Sequence, residues 1–264
     1  MPSISSSAGI DATIYKLMVN PKAVNILGVD VNTINKRELL ELVRIWAGEN
    51  KPRSISYVNA HCINVAYKDS EYREALKKMD LVYADGMGVV MAGRFLYGSY
   101  IKKITGRDWI DNFCKLAVNQ HLRVYILAGK PGILSLAIER MRKEYPELDI
   151  AGFNDGFFTR KSENEVLYEI KSTRPHIVFI GMGIPQQEKW VGENRGKIIA
   201  PVCWNVGALF DYVAGLEPQV PGWMDKIALE WLWRLMMDPS GKWKRYLVGN
   251  PLFILRILYQ KLSL

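Results

Sequence analysis

The chain has 264 residues, 49% of them apolar and 23% charged, which excludes intrinsic disorder and is enough for a full hydrophobic core. Its formal charge of +8 favours an anionic partner: nucleic acid, a phosphorylated small molecule or an acidic membrane surface. The three dispersed cysteines, Cys62, Cys114 and Cys203, form no CxxC pair and read as small core residues in a reducing compartment.

In chain order, residues 1–20 read as a flexible leader that lacks the basic and apolar regions of a signal peptide. From residue 21 to 216, short β-branched runs alternate with amphipathic stretches. Strands are predicted at Val24–Val29, Ile55–Asn59, Leu81–Ala84, Val124–Ala128, Ile150–Phe153, Ile177–Gly181 and Ile199–Asn205. Helices are predicted at Lys36–Ala47, Ser70–Lys78, Trp109–Asn119, Gly132–Glu144, Glu163–Ser172 and Pro185–Arg195. This alternation predicts an α/β, Rossmann-like core with a mostly parallel sheet flanked by helices. Residues 217–264 form a helical, basic and aromatic C-terminal appendage of about three helices. Beyond Pro221 it carries four of the eight tryptophans and seven Lys/Arg against three Asp/Glu. No run reaches the ~18 apolar residues of a spanning helix, so the chain is expected in the cytoplasm.

Ligands of a parallel sheet bind beyond the C-terminal ends of its strands. There the sequence places Asn59-Ala60-His61, Asp85-Gly86-Met87-Gly88, Gly129-Lys130-Pro131 and Gly181–Glu188. Neither glycine loop completes the G-x-G-x-x-G of a dinucleotide site. The three histidines do not cluster, and there is no D-x-D, so no metal site can be assembled. No G-x-S-x-G elbow occurs, and Cys62 beside His61 is only a sequence neighbour. Asp85 is left as either a general base, with Gly86 and Gly88 admitting a bulky ligand, or a helix N-cap.

Several stretches in order resemble the WecG/TagA/CpsF glycosyltransferase family, glycosyltransferase family 26. They are DGMGVV (85–90), TGRD (105–108), GMGIPQQEKW (181–190), NVGALFDYVAG (205–215) and EWLWRL…WKRYL (230–247). The resemblance implies an inverting transferase that needs no metal or other cofactor. It would move a sugar from a UDP-sugar donor to a polyprenyl-diphosphate-linked saccharide during synthesis of cell-surface polysaccharide. It implies Asp85 as the base and Gln187 as a pocket glutamine. Asn59 and His61 are carried over as donor-site residues, although the family usually shows Thr-x-Asn there. Arg234 matches an appendage arginine that meets the UDP phosphates. Ser240 and Gly241 replace a basic pair of the family, so Lys242 and Arg245 are taken as substitutes.

The donor sugar is left open among N-acetylmannosamine, its uronic acid, glucose and glucuronate. A uronate would call for a further cation, with Lys102, Lys103 and Arg107 as candidates. Tryptophan and leucine interleaved with cations suit a tail lying on the inner leaflet of the plasma membrane, and its docking there is expected to bring Arg234 over the site. A dinucleotide oxidoreductase and a nucleic-acid-binding module are the alternatives. No RRM, KH or helix-turn-helix pattern supports the second, so no nucleic-acid partner is assigned. The oligomeric state is open, a homo-oligomer included.

Overall fold

The computed structural model describes residues 22–264 except 131, 160, 217–219 and 227–228. The leader at 1–20 and Pro131 lie outside the described residues.

The first expected strand is corrected by the structure. Val24–Val29 is not one strand but part of an antiparallel hairpin, β1 (Ala23–Ile26) and β2 (Val29–Asn32). Leu27 and Gly28 take positive φ values of 52° and 86°, as a tight two-residue hairpin turn requires. Asn25 Oδ1 holds the turn by accepting from the Gly28 amide at 3.0 Å.

The core follows as α1 (Lys36–Ala47), β3 (Arg53–Val58), α2 (Ala60–Lys68), α3 (Ser70–Lys77), β4 (Leu81–Ala84), α4 (Met87–Tyr97) and α5 (Gly106–Asn119). Then come β5 (Val124–Ala128), α6 (Ile133–Glu144), β6 (Ile150–Asn154), α7 (Glu163–Thr173), β7 (Ile177–Gly181), α8 (Gln186–Asn194), β8 (Val202–Asn205) and α9 (Leu209–Val213). Local chemistry sets several boundaries. Asn35 and Glu38 form a capping box at α1, each side chain accepting from the other's amide. Helix α5 starts before the predicted Trp109, because Asp108 accepts from both the amide and hydroxyl of Thr105 at 2.8 Å. The last expected strand begins at Val202 rather than Ile199, whose side chain is exposed.

Six strands form one parallel sheet in the order β4-β3-β8-β7-β5-β6. Alternate residues of the inner strands enter different apolar clusters. Ile126 and Phe179 pack with Leu42 of α1, Phe113 of α5 and Ile138 of α6. Leu127 and Ile180 pack with Ile170 of α7 and Val191 of α8. Helices therefore cover both faces, which is why β5 and β7 read as continuous apolar runs without alternation. The hairpin covers the outer edge of β4, where Asn32 Oδ1 takes the Val82 amide at 2.8 Å.

The C-terminal part comprises α10 (Gly222–Lys226), α11 (Glu230–Met237), α12 (Pro239–Trp243), a π-helical turn (Lys244–Val248) and α13 (Gly249–Leu262). Helix α13 is part of the core. Phe253 and Ile257 are buried with Val58, Ile63, Val89 and Leu96. Gln260 also bonds the hairpin twice, accepting from the Leu27 amide and donating to the Asn25 carbonyl, both at 3.0 Å. Among the described residues no helix is long and apolar enough to cross a membrane.

Candidate active site

A cavity of about 790 Å³ opens beyond the C-terminal ends of β3, β4 and β8 and is closed from the other side by the C-terminal helices. Its floor includes Trp109, stacked on Trp204 with ring centroids 4.0 Å apart. This aromatic pair sits in the buried cluster with Phe113, Phe179 and Phe210 and gives the site a rigid base.

Asp85 stands one residue past β4. Its amide donates to the Val58 carbonyl at 2.8 Å, which fixes the backbone to the sheet. The N-cap position of α4 falls to Gly86, and the half-buried Asp85 lines the cavity. Burial, reinforced by the negative charge of Glu230, raises its pKa to about 6, while Arg234, Arg245 and Lys103 oppose the rise. Gly86 has a φ of 132°, a conformation side chains rarely adopt. At Gly88 a Cβ would stand 3.3 Å from Ala60 Cβ, so this glycine also lets the starts of α2 and α4 approach each other.

Asn59 caps α2, its Oδ1 accepting from the amides of His61 and Cys62 at 3.0 and 3.1 Å. That use of the carbonyl leaves the amide hydrogens for a ligand. His61 lines the same wall, and burial together with Arg245 lowers its pKa to about 4, so it is neutral at pH 7.

The facing wall is cationic. Arg107, Arg234, Lys242 and Arg245 all line the cavity, joined by Lys103. Lys102 does not; its ammonium lies 4.4 Å from the centroid of the Tyr100 ring. Arg234, expected to be brought over the site by membrane docking, lines the cavity wall. Arg245 lies in the π-helical turn, its Nε buried without a hydrogen-bond partner, and no carboxylate among the described residues pairs with it. Such widened turns recur at functional sites.

Gln187 is not brought to the cavity. It is fully buried behind the wall, where its Nε2 donates to Glu188 at 2.7 Å and its Oε1 accepts from the Gly207 amide at 3.2 Å. Glu188 also accepts from Ser56 Oγ at 2.8 Å. Burial raises the Glu188 pKa to about 7 against these hydrogen bonds. The pair thus ties α8 to β3 and to the loop after β8.

Sequence reading missed Glu230. It accepts from Arg107 Nη2 at 2.8 Å and from Arg234 Nε at 3.0 Å. The Arg234 partnership was readable as an i,i+4 pair on one helix, but the Arg107 partnership spans 123 positions. Trp231 of α11 also lines the cavity. Among the described residues, no group of three or more His, Cys, Asp or Glu is placed to hold a metal ion.

A parallel sheet whose strand ends carry one carboxylate opposite several cations defines an α/β enzyme acting on an anionic ligand. Comparison with known sequences gives this class its family. Residues 24–264 match the Glycosyl transferase WecG/TagA/CpsF family, and the chain belongs to it. It is a glycosyltransferase of the hexosyltransferase type, which removes the oxidoreductase and nucleic-acid alternatives. The chain is 30% identical over 207 residues to an N-acetylglucosaminyldiphosphoundecaprenol N-acetyl-beta-D-mannosaminyltransferase of Bacillus subtilis, covering 78% of this chain and 79% of that protein. It is 28% identical over 246 residues to a protein of the same name from Staphylococcus aureus, covering 92% and 94%.

Proposed function

We propose that this enzyme transfers N-acetylmannosamine from its UDP derivative to a polyprenyl-diphosphate-linked N-acetylglucosamine, with inversion and without a metal, in the synthesis of a cell-surface polymer. The observation that carries the reading is Asp85 facing Lys103, Arg107, Arg234, Lys242 and Arg245 across one cavity. The relatives named above supply the sugar and the acceptor class.

In this mechanism the Asp85 carboxylate takes the proton of the acceptor hydroxyl while that oxygen attacks C1 of the donor sugar. The C1–O bond to the β-phosphate breaks, and UDP leaves with the electron pair. A base with a pKa near the working pH suits this step, and such help is worth roughly 10²–10⁴-fold. The leaving diphosphate is stabilised by the cations in place of a metal, Arg245 foremost because its buried Nε has no hydrogen-bond partner among the described residues. Asn59 and neutral His61 can hydrogen-bond the donor without altering the charge around Asp85. Of the three cations a uronate would call on, Lys102 lies off the wall while Lys103 and Arg107 line it, so the uncharged donor sugar is taken from the relatives.

The acceptor's isoprenoid chain and the inner leaflet are matched by exposed apolar side chains. Ile254 and Leu258 of α13 face Met91 and Phe95 of α4 at the cavity rim, and Leu255, Tyr259 and Leu262 extend this apolar surface along α13. The test is a UDP-release screen with UDP-N-acetylmannosamine, UDP-glucose and the uronates on a synthetic lipid-diphosphate N-acetylglucosamine, in EDTA. Turnover is expected with the first donor only. Transfer from a uronate alone, or transfer abolished by EDTA, would contradict the reading.

A further inference from the structure

Glu230 has no part in the mechanism above, yet it sits where core and appendage meet. One oxygen, Oε1, accepts from Arg107 Nη2 at 2.8 Å and from Arg234 Nε at 3.0 Å, with Arg234 Nη2 in ion-pair range at 3.0 Å. Arg107 belongs to the first turn of the core helix α5, while Arg234 lies one turn beyond Glu230 on α11. Arg107 is also held over the Tyr212 ring, 5.7 Å from its centroid. Two guanidiniums converging on one cavity repel each other, and a carboxylate between them offsets that repulsion. Their side chains are only 22% and 29% exposed, so water screens the cluster weakly.

We propose that Glu230 is a positioning residue for the transfer: it gathers Arg107 and Arg234 into one donor cluster for the leaving diphosphate and holds α11 over Asp85. This rests on the diphosphate reading of the cavity given above. Glu230 acts through the two arginines, both of which line the cavity and carry guanidinium forks suited to phosphate oxygens.

Its charge also gives the role a signature. Asp85 shares the cavity with Lys103, Arg107, Arg234, Lys242 and Arg245 as cations, with Glu230 as the one other anion among the described lining residues and with neutral His61. It also interacts with Tyr57, Cys62 and Tyr83 as neutral groups. Glu230→Gln removes the anion, so Asp85 loses its proton more easily and the acid limb of the pH–rate profile moves to lower pH.

The experiment compares the full chain with E230Q and E230D, measuring UDP binding by calorimetry and kcat/KM against pH with the lipid acceptor. E230Q is expected to bind UDP about tenfold more weakly and to shift the acid limb downward. E230D, with its charge kept and its reach shortened, is expected between the two for UDP and at the wild-type limb position. UDP affinity that is unchanged or improved in E230Q, or a limb that stays in place, overturns the assignment. If E230Q does not fold, E230D decides alone: weaker UDP binding at an unmoved limb supports the role, and unchanged affinity overturns it. A wild type that binds no UDP overturns the proposed function itself, and the assignment with it.

Discussion

Arg256 of the last helix donates to the side-chain oxygen of Asn64 at 2.7 Å, joining α13 to the helix that follows β3. Asn64 in turn donates to the Gly249 carbonyl at 2.7 Å, at the point where the π-helical turn passes into α13. Arg256 lies 4.1 Å from the Tyr67 ring centroid, which closes the clamp. Replacing Asn64 by Ala removes both of these partly buried hydrogen bonds. The expected cost is about 1–3 kcal/mol of stability, read by denaturant unfolding. Because the clamp sets the turn that carries Arg245, UDP affinity should fall as well.

The same packing changes what a truncation would mean. Cutting near Pro221 removes Phe253 and Ile257 from the core, not only a surface appendage. Such a product is expected to unfold more readily than the full chain and to expose apolar surface to a hydrophobic dye. A truncated chain with wild-type melting behaviour would show that α13 is not integral to the core.

Arg245 is the cation with the clearest call on an anion, since its Nε is buried without a hydrogen-bond partner and no carboxylate among the described residues forms a salt bridge with it. Arg245→Gln should weaken UDP binding by about tenfold or more, the loss of a charged hydrogen bond in a partly dry site. Arg245→Lys keeps the charge but loses the fork, and should recover only part of the affinity. Calorimetric titration with UDP checks both.

Glu188 provides a pH-dependent stability test independent of catalysis. Its folded pKa is raised to about 7 by burial, above the ordinary carboxylate value. The protonated form therefore stabilises the fold fully below the unfolded pKa, and that contribution is lost as the pH rises through about 7. The expected loss is on the order of 2 kcal/mol. Glu188→Gln, which imitates the protonated acid, should flatten stability between about pH 5 and pH 8. A variant whose stability falls with pH as steeply as the wild type's would mean that Glu188 ionises without cost.

Much of this architecture was legible in the sequence. Uninterrupted apolar runs such as Val124–Ala128 gave the parallel strands, and Asp85 was visible as a strand-end carboxylate. The hairpin was missed because Leu27, a bulky residue in a positive-φ position, does not announce a turn. Gln187 was legible as part of a motif, but its burial behind the wall depends on contacts with Glu188 and Gly207 from different loops. The Arg107–Glu230–Arg234 cluster and the insertion of Phe253 into the core are long-range facts, set by how α11 and α13 fold back. TGRD illustrates the difference between motif and role: Asp108 caps the helix that presents Arg107, and the arginine is the residue on the cavity wall.

The most direct test of Asp85 as the base is the rate of UDP release on the lipid-linked acceptor by wild type and Asp85→Asn, followed across pH 5–8. The wild-type rate should decline below about pH 6 as Asp85 takes up a proton. The variant should bind UDP normally yet turn over roughly 10²–10⁴-fold more slowly, with that acid limb absent. Full turnover by Asp85→Asn, or an acid limb that survives in it, would contradict the assignment.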